Sequence, residues 1–344
     1  MRVEEVQYLP QKAKEEPVTS AGTRVSNFVS LTSKHCFFIA PVRFCEYFPL
    51  GLECKFCNFN DTQEKAHSIG LERSTTINLE ETLEAYKIMA SETRFVEGRF
   101  ECGGHTRSEQ EARIHANFVG KIAAATSYKP NITVHAQPMD RNDMQRLRDT
   151  GVDSMCFQME IWDPDLFPEV VPGKARYTGR ERYLEAFQEA VDIFGVGSVG
   201  CVFVGGLTLI PENGHKTWQE ARDSMIEGNS WMIRHGVLPG VTPLRLPPGA
   251  PWGSAENRKK YPPTDYYLDV ALAHHQVMLE HGRYDKMNKL MWCPIECLTN
   301  RVGIELGVYE VAGSLANWTA DCVPREANWH LDWEEQRKSL ASVK

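Results

Sequence analysis

Short apolar segments alternate with amphipathic segments along most of the chain. The apolar runs are bounded by glycine, proline or polar residues, which is typical of strands, and the amphipathic segments repeat their apolar residues at helical spacing. Strands are predicted at residues 37–44, 95–100, 132–137, 152–160, 198–204 and 241–246, with a short further candidate at Lys289–Trp292. Strands that alternate with helices indicate parallel βαβ units. We therefore predict an α/β fold, namely a partial or irregular TIM-type (β/α) barrel with about six to seven parallel strands.

The helices between these strands have recognisable start signals. Asn78-Leu-Glu-Glu81 and Thr217-Trp-Gln-Glu220 have the form of capping boxes, and Ser108 precedes a third amphipathic run. Further helices are predicted at residues 142–148, from about residue 180 and at residues 265–280. The pattern fades after residue 298. We predict a lead-in at residues 1–30, a barrel at residues 31–297 and a C-terminal tail at residues 298–344 that packs on the barrel.

Composition limits the classes of partner. The chain has 344 residues and a net charge of −8, with 42% hydrophobic and 24% charged residues, which is ordinary for a globular protein. A negative charge argues against nucleic acid or an anionic membrane as the main partner. The most apolar run, 196–210, is too short to span a bilayer and contains four glycines. Ten cysteines without a visible export signal indicate thiols and metal ligands in a reducing cytoplasm.

Three cysteines between the first predicted strand and the first predicted helix carry the clearest chemical meaning. Cys45, Cys54 and Cys57 are separated by eight and then two residues. Loops at the carboxyl ends of barrel strands carry functional groups, so these cysteines are expected to hold an inorganic centre at the barrel mouth. Closed zinc sites and fully ligated iron–sulfur clusters each take four protein ligands. Three cysteines would therefore leave one iron of a cubane cluster open to a ligand that is not protein.

Other interpretations of the same cysteines stay open. A distant Cys or His could complete a zinc site, because Cys-x-x-Cys is common in zinc ribbons. That alternative leads to a zinc-dependent barrel hydrolase in which His105 or His135 joins the cysteines. The three residues could instead be ordinary buried thiols. A further alternative is a non-enzymatic iron–sulfur carrier.

The motif Cys54-Lys-Phe-Cys57, with Cys45 upstream, resembles that of the radical S-adenosylmethionine (SAM) enzymes. The usual spacing there is three residues and then two, so the first gap is longer in this chain. The resemblance implies a 4Fe–4S cluster on the three cysteines, with its open iron chelated by the amino and carboxylate groups of SAM. It also implies reductive cleavage of SAM to a 5′-deoxyadenosyl radical, an electron donor such as flavodoxin or ferredoxin, and an oxygen-sensitive cytoplasmic enzyme.

A second resemblance, between Gln145 and Leu207, is to biotin synthase and its relatives. It covers the run 145–153, the segment Arg180-Glu-Arg182-Tyr and the strand that ends Phe203-Val-Gly-Gly-Leu207. Biotin synthase takes cysteines for a sulfur-donating cluster from its second, third and fifth strands. The third predicted strand here has no cysteine, so the resemblance is closer to those relatives that lack this cluster.

The resemblance implies a binding site for SAM. Glu160, with Gln158 one layer below, would bind the ribose, and Arg182 would pair with the methionyl carboxylate. A carboxylate can accept both ribose hydroxyl protons, and a guanidinium makes a charge-assisted bond to a carboxylate. The remaining residues implied to contact SAM are Phe56, Cys102, Gly103, Gly104, Val204 and Gly205.

Side chains at the ends of other strands are candidates for contact with a small polar metabolite. The catalytic candidates are His105, His135 and Cys297, the last as a hydrogen-atom donor to a product radical. The substrate-binding candidates are Arg107, Gln137, Arg245, Trp292 and Glu296. Hydrogen abstraction would precede rearrangement, C–C or C–N cleavage, or a step in cofactor or natural-product biosynthesis.

Overall fold

The protein folds around one seven-stranded sheet, seen in a computed structural model that describes residues 16–33, 36–60, 75–92, 94–95 and 97–281. Strands that follow one another in sequence are neighbours in the sheet. The first strand pairs antiparallel with the second, and the other pairs are all parallel. The strands are β1 (Ser30–Ser33), β2 (Cys36–Ile39), β3 (Glu97–Glu101), β4 (Asn131–Ala136), β5 (Ser154–Glu160), β6 (Val199–Gly205) and β7 (Leu238–Pro243).

Helices connect the parallel strands and cover one face of the sheet. They are α1 (Leu79–Glu92), α2 (Ser108–Ala123), α3 (Arg141–Thr150), α4 (Phe167–Val170), α5 (Pro172–Tyr177), α6 (Arg180–Phe194), α7 (Trp218–Arg234), α8 (Ala255–Arg258) and α9 (Thr264–Glu280). The capping box predicted at Thr217 is complete, with both reciprocal hydrogen bonds to Glu220 present. No helix within the described ranges is long and apolar enough to cross a membrane.

The two faces of the sheet differ in chemistry. Alternate positions such as Phe100, Val134 and Phe157 are fully buried in the core between the sheet and the helices. The intervening positions point to the other face because side chains alternate along a strand. Those positions include Arg99 and Glu101 on β3 and His135 on β4. The sheet curls into a half-barrel, so this polar face is concave.

The predicted partial TIM-type α/β barrel is confirmed, and the described residues form six of the predicted six to seven parallel strands. Two strands differ from their predicted bounds by three residues or more. The first predicted strand ends at Ile39, ahead of Pro41, which cannot donate a ladder hydrogen bond. The last predicted strand, β7, begins at Leu238 rather than at residue 241. Among the described strands, β7 pairs only with β6, and a proline such as Pro239 is tolerated in a strand that has one paired edge.

The sequence did not predict the antiparallel strand β1. Residues just before it are part of the core, because Val25, Phe28 and Val29 are buried in the same apolar cluster as the sheet. The N-terminal segment is also tied to α1, where the side chain of Glu84 accepts hydrogen bonds from Ser20. Residues 1–15, the strand candidate Lys289–Trp292 and the predicted tail at residues 298–344 lie outside the described residues.

Candidate functional site

The three cysteines lie on a compact loop that follows β2. All three are free thiols and half-buried. A 3₁₀ turn at Phe48–Leu50 reverses the chain in the longer gap between Cys45 and Cys54. The turn ends at Gly51, whose φ of 67° lies in the left-handed region that favours glycine. The long first gap is therefore accommodated by an ordinary tight turn.

Asn60 closes this cysteine loop. Its Oδ1 accepts a hydrogen bond from the backbone N–H of Cys45 at 3.0 Å, and its Nδ2 donates to the carbonyl oxygen of Cys45 at 3.1 Å. The side chain of Asn60 is buried, and the carbonyl oxygen of Cys45 also accepts a hydrogen bond from the N–H of Phe48 at 3.4 Å. The amide thus fixes the backbone at the first cysteine from a position fifteen residues later.

Gly103 and Gly104, which follow β3, pack against the cysteine loop. The N–H of Glu46 donates to the carbonyl of Gly104 at 2.8 Å, and the N–H of Gly103 donates to the carbonyl of Val42 at 3.0 Å. A Cβ on Gly103 would lie 2.2 Å from the carbonyl oxygen of Phe44, which no real structure permits. Gly103 is therefore required for the close approach of the two segments.

Tyr47 anchors the loop to the ends of β3 and β4. It is 1% exposed, and its hydroxyl lies within hydrogen-bonding distance of the carbonyl oxygen of His105, at 3.0 Å, and of Oε1 of Gln137. The Nε2 of Gln137 donates to the same carbonyl at 2.8 Å. The imidazole of His105 lies 3.5 Å from the carboxylate of Glu46, the neighbour of Cys45. Two of the predicted mouth residues thus meet at the cysteine loop.

The short helices α4 and α5 bind the other side of the loop. The N–H of Lys55 donates to the carbonyl of Val170, and the N–H of Gly173 donates to the carbonyl of Leu52, both at 2.9 Å. These contacts bring Lys174 next to the cysteines. The sequence did not predict a role for Lys174, because Pro172, a residue type favoured at the first turn of a helix, indicates only where α5 begins.

Glu160 and Lys174 form a buried ion pair beside the loop. The Nζ of Lys174 donates to Oε1 of Glu160 at 2.7 Å and also to the carbonyl of Gln158. Within the described ranges, Glu160 is the one non-glycine residue with positive φ, at 73°. The β5–β6 register shifts between Phe157 and Glu160, which marks a bulge. Bulges and unusual backbone conformations cluster at functional sites.

The three thiols influence one another. Burial raises the pKa of Cys45 and Cys54, and it raises the pKa of Cys57 to about 11. The charge of Cys45 and of Cys57 would each raise the pKa of Cys54 further, whereas Lys174 lowers it. The thiols are therefore protonated unless a metal centre supplies positive charge.

The three cysteines supply the number of protein ligands that an iron–sulfur cluster with one open iron requires. In the part of the chain that the structure describes, no three Cys, His, Asp or Glu side chains are grouped closely enough to share one metal ion. A cubane cluster makes a different demand, because each cysteine binds a different iron. Three free, half-buried thiols on one loop meet that demand.

A polar network covers the concave face next to the site. Glu101 accepts hydrogen bonds from Nη2 of Arg99 at 2.7 Å and from Nε2 of Gln158 at 2.8 Å. Burial opposes its charge, but Arg99 lowers the pKa of Glu101 to about 2. Burial and Arg99 lower the pKa of His135 to about 3, so its imidazole is neutral.

Cys102 interacts with α2 as well as with the loop region. Burial acts to raise the pKa of its thiol, but nearby His115 and His105 lower it overall. His115 is fully buried, and its Nε2 lies 3.8 Å from the carboxylate of Glu111. The Cys102 side chain thus has protein partners of its own.

The predicted SAM and substrate residues have different environments. Arg182 pairs with Glu189 at 2.8 Å and donates to the carbonyl of Met139 at 2.7 Å. Arg107 is exposed and bonds Gln110. The other predicted residues described are half-buried Phe56, buried Val204 and Gly205 at the end of β6, and exposed Arg245. Trp292, Glu296 and Cys297 lie outside the described residues.

Comparison with known proteins gives one sequence relative with a local match. No family model matches the chain. Over 113 residues, or 33% of the chain, the sequence is 31% identical to the bacteriochlorophyllide c C-7(1)-hydroxylase of Chlorobaculum limnaeum. The match covers 25% of that protein, so the chain spans about a quarter of the length of this curated relative.

The fold has clear counterparts among solved structures. Methylornithine synthase (PylB) matches with a TM-score of 0.52 and 15% identity, over 76% of this chain and 69% of that one. The FeFe-hydrogenase maturase HydG from Carboxydothermus hydrogenoformans matches with a TM-score of 0.50 and 17% identity, over 74% of this chain and 56% of its own. The chain therefore shares its fold with these two proteins.

Proposed function

We propose that the protein is a radical SAM enzyme whose 4Fe–4S cluster is held by Cys45, Cys54 and Cys57. The observation that carries the proposal is the packing of three free thiols on one loop, between the glycine pair that ends β3 and the helices α4 and α5. When bound, the cluster and SAM supply a 5′-deoxyadenosyl radical that abstracts hydrogen from a small polar metabolite. An electron donor such as flavodoxin or ferredoxin provides the electron.

The chain's own residues bind and orient SAM in this proposal. The carbonyl groups after β3, at Cys102, Gly103 and Gly104, accept the ammonium protons, since glycine leaves the backbone accessible. Glu160 accepts the ribose hydroxyl protons, and the bulge in β5 sets its direction. Arg182 pairs with the carboxylate. The other proposed contacts are Phe56, Gln158, Val204 and Gly205.

The concave face receives the substrate in this proposal. The network of Arg99, Glu101 and Gln158 makes that face polar, which favours a polar metabolite. His105, Arg107, His135, Gln137 and Arg245 remain the proposed substrate contacts among the described residues. The named relatives are a hydroxylase, a synthase and a maturase, so the proposal covers the hydrogen abstraction rather than the step after it.

Anaerobic reconstitution tests the proposal. We expect iron and sulfide in the purified protein, broad visible absorbance, and release of 5′-deoxyadenosine when SAM and a strong reductant are added. Cys45→Ser, Cys54→Ser and Cys57→Ser should each lose the activity. The matched control is Cys201→Ala, which removes a buried thiol on β6 outside the loop.

Each alternative gives a different result in the same assay. A carrier would contain iron and sulfide but release no 5′-deoxyadenosine. A zinc hydrolase would bind zinc in place of iron. Wild-type protein that takes up no iron under anaerobic conditions would refute the proposal.

A further inference from the structure

We propose that Lys174 is a positioning residue that supplies the counter-charge for the three cysteine thiolates and thereby sets the reduction potential of the cluster they hold. The inference rests on the proposed function, because it takes Cys45, Cys54 and Cys57 as cluster ligands. Lys174 would touch neither SAM nor substrate, and would act through the electrostatic field at the cysteine loop.

The burial of Lys174 calls for a reason other than stability. Its side chain is 9% exposed, and its Nζ bonds the carboxylate of Glu160 and the carbonyl of Gln158. Lysine is rarely buried, and a buried ion pair is often no more stabilising than apolar residues of the same volume. A buried lysine on a helix that contacts the cysteine loop is therefore better explained by its charge.

The backbone holds Lys174 firmly against the cysteine loop. The residue before it, Gly173, donates a hydrogen bond to the carbonyl of Leu52 at 2.9 Å. A Cβ on Gly173 would lie 2.5 Å from the ring of Tyr47, so the two segments are in direct contact at this point. The position of the ammonium group relative to the thiols is thus set by the fold.

The ion pair places two opposite charges at the cysteine loop. Lys174 directly follows Gly173, which bonds the loop at Leu52, and its Nζ lies 2.7 Å from Oε1 of Glu160. Replacing either partner with a neutral side chain therefore leaves the charge of the other unbalanced beside the loop.

The opposite charges of Lys174 and Glu160 predict opposite effects when each residue is neutralised. Adding one electron makes a cluster with three thiolate ligands more negative, and a nearby cation stabilises that state. Lys174→Met leaves the carboxylate of Glu160 without its cation, so the cluster becomes harder to reduce. Glu160→Gln leaves the cation without its carboxylate, so the cluster becomes easier to reduce.

The test is a redox titration of reconstituted protein without SAM, followed by electron paramagnetic resonance. At the wild-type midpoint potential, Lys174→Met should lower the ratio of reduced to oxidised cluster at least tenfold, which corresponds to about 59 mV for one electron. Glu160→Gln should raise the ratio, and Lys174→Arg should leave it near the wild-type value. Lys121→Met, at an exposed lysine paired with Glu80, is the control and should change nothing.

The outcomes separate this inference from the proposed function. A normal cluster with the wild-type midpoint in both Lys174→Met and Glu160→Gln overturns the role of Lys174 and leaves the radical SAM assignment intact. If Lys174→Met does not fold, Glu160→Gln decides alone, and an unchanged or lower potential overturns the inference. Wild-type protein without a cluster removes both proposals.

Discussion

Replacing Gly173 with alanine is expected to separate α5 from the cysteine loop. A Cβ at this position would lie 2.5 Å from Cγ of Tyr47 and 2.7 Å from the carbonyl oxygen of Leu52. The Tyr47 ring is buried and its hydroxyl is held at the ends of β3 and β4, so the ring cannot swing away. The oxygen of Leu52 belongs to the backbone and cannot rotate independently. The extra methyl group therefore forces the two segments apart.

The size of the effect follows from three contributions. Overpacking a well-filled site costs about 1–3 kcal/mol. Stretching the hydrogen bond from Gly173 to Leu52 costs about 1 kcal/mol. Alanine in place of glycine within a helix raises the free energy of unfolding by about 1 kcal/mol, which partly offsets these losses. We therefore expect Gly173→Ala to lower the free energy of unfolding by about 1–3 kcal/mol.

Gly120 provides a matched control for this experiment. It lies within α2, and a Cβ there would meet nothing within 4 Å. Gly120→Ala should therefore raise the free energy of unfolding by about 0.5–1 kcal/mol. Urea unfolding measures both variants, and iron per chain after reconstitution measures the site. Gly173→Ala that is as stable as wild type and retains full iron would refute the contact between α5 and the loop.

Three further predictions concern the loop, the concave face and the scaffold. Asn60→Ala should lower the free energy of unfolding by about 1–3 kcal/mol, because it removes two hydrogen bonds to the backbone of Cys45. It should also speed alkylation of Cys45 in metal-free protein, and unchanged alkylation would contradict it. Burial and Arg99 lower the pKa of His135 from 6.5 to about 3. Between these two pH values the unfolded chain binds more protons than the folded protein, so the free energy of unfolding falls as the pH falls. His135→Gln should reduce this loss of stability by about 2 kcal/mol at pH 5. Plots of unfolding free energy against pH that run parallel for the variant and the wild type would rule out the prediction. Thr217→Ala should lower the free energy of unfolding by about 1 kcal/mol, because it removes the side chain that caps α7, and should leave the iron content unchanged.

The parallel strands could be predicted because the signal for each is local. Phe100, Val134 and Phe157 belong to short apolar runs, and each is buried between sheet and helix. The capping residues of α7 are also a local signal, and they were confirmed in detail. The strand β1 carried no such signal. Its four residues, Ser30–Ser33, are mostly polar, and they become a strand through pairing with β2.

The short helices were missed for a related reason. α4 and α5 have four and six residues, which is too few for a helical period to appear in the sequence. Their positions depend on contacts with Leu52 and Lys55, more than a hundred residues earlier in the chain. No pattern within the segment itself carries that information.

The same reasoning explains which parts of the site the sequence could supply. Cys45, Cys54 and Cys57 could be proposed from the sequence because closely spaced cysteines indicate metal-binding chemistry by their residue type alone. Lys174 could not, since a lysine is ordinarily solvated and means little until its surroundings are known. Its importance comes from desolvation next to Glu160, and desolvation is a property of the fold. Two charges interact several times more strongly in a protein interior than in water. A charged residue such as Lys174, whose burial the sequence does not reveal, can therefore have a large electrostatic effect on the site.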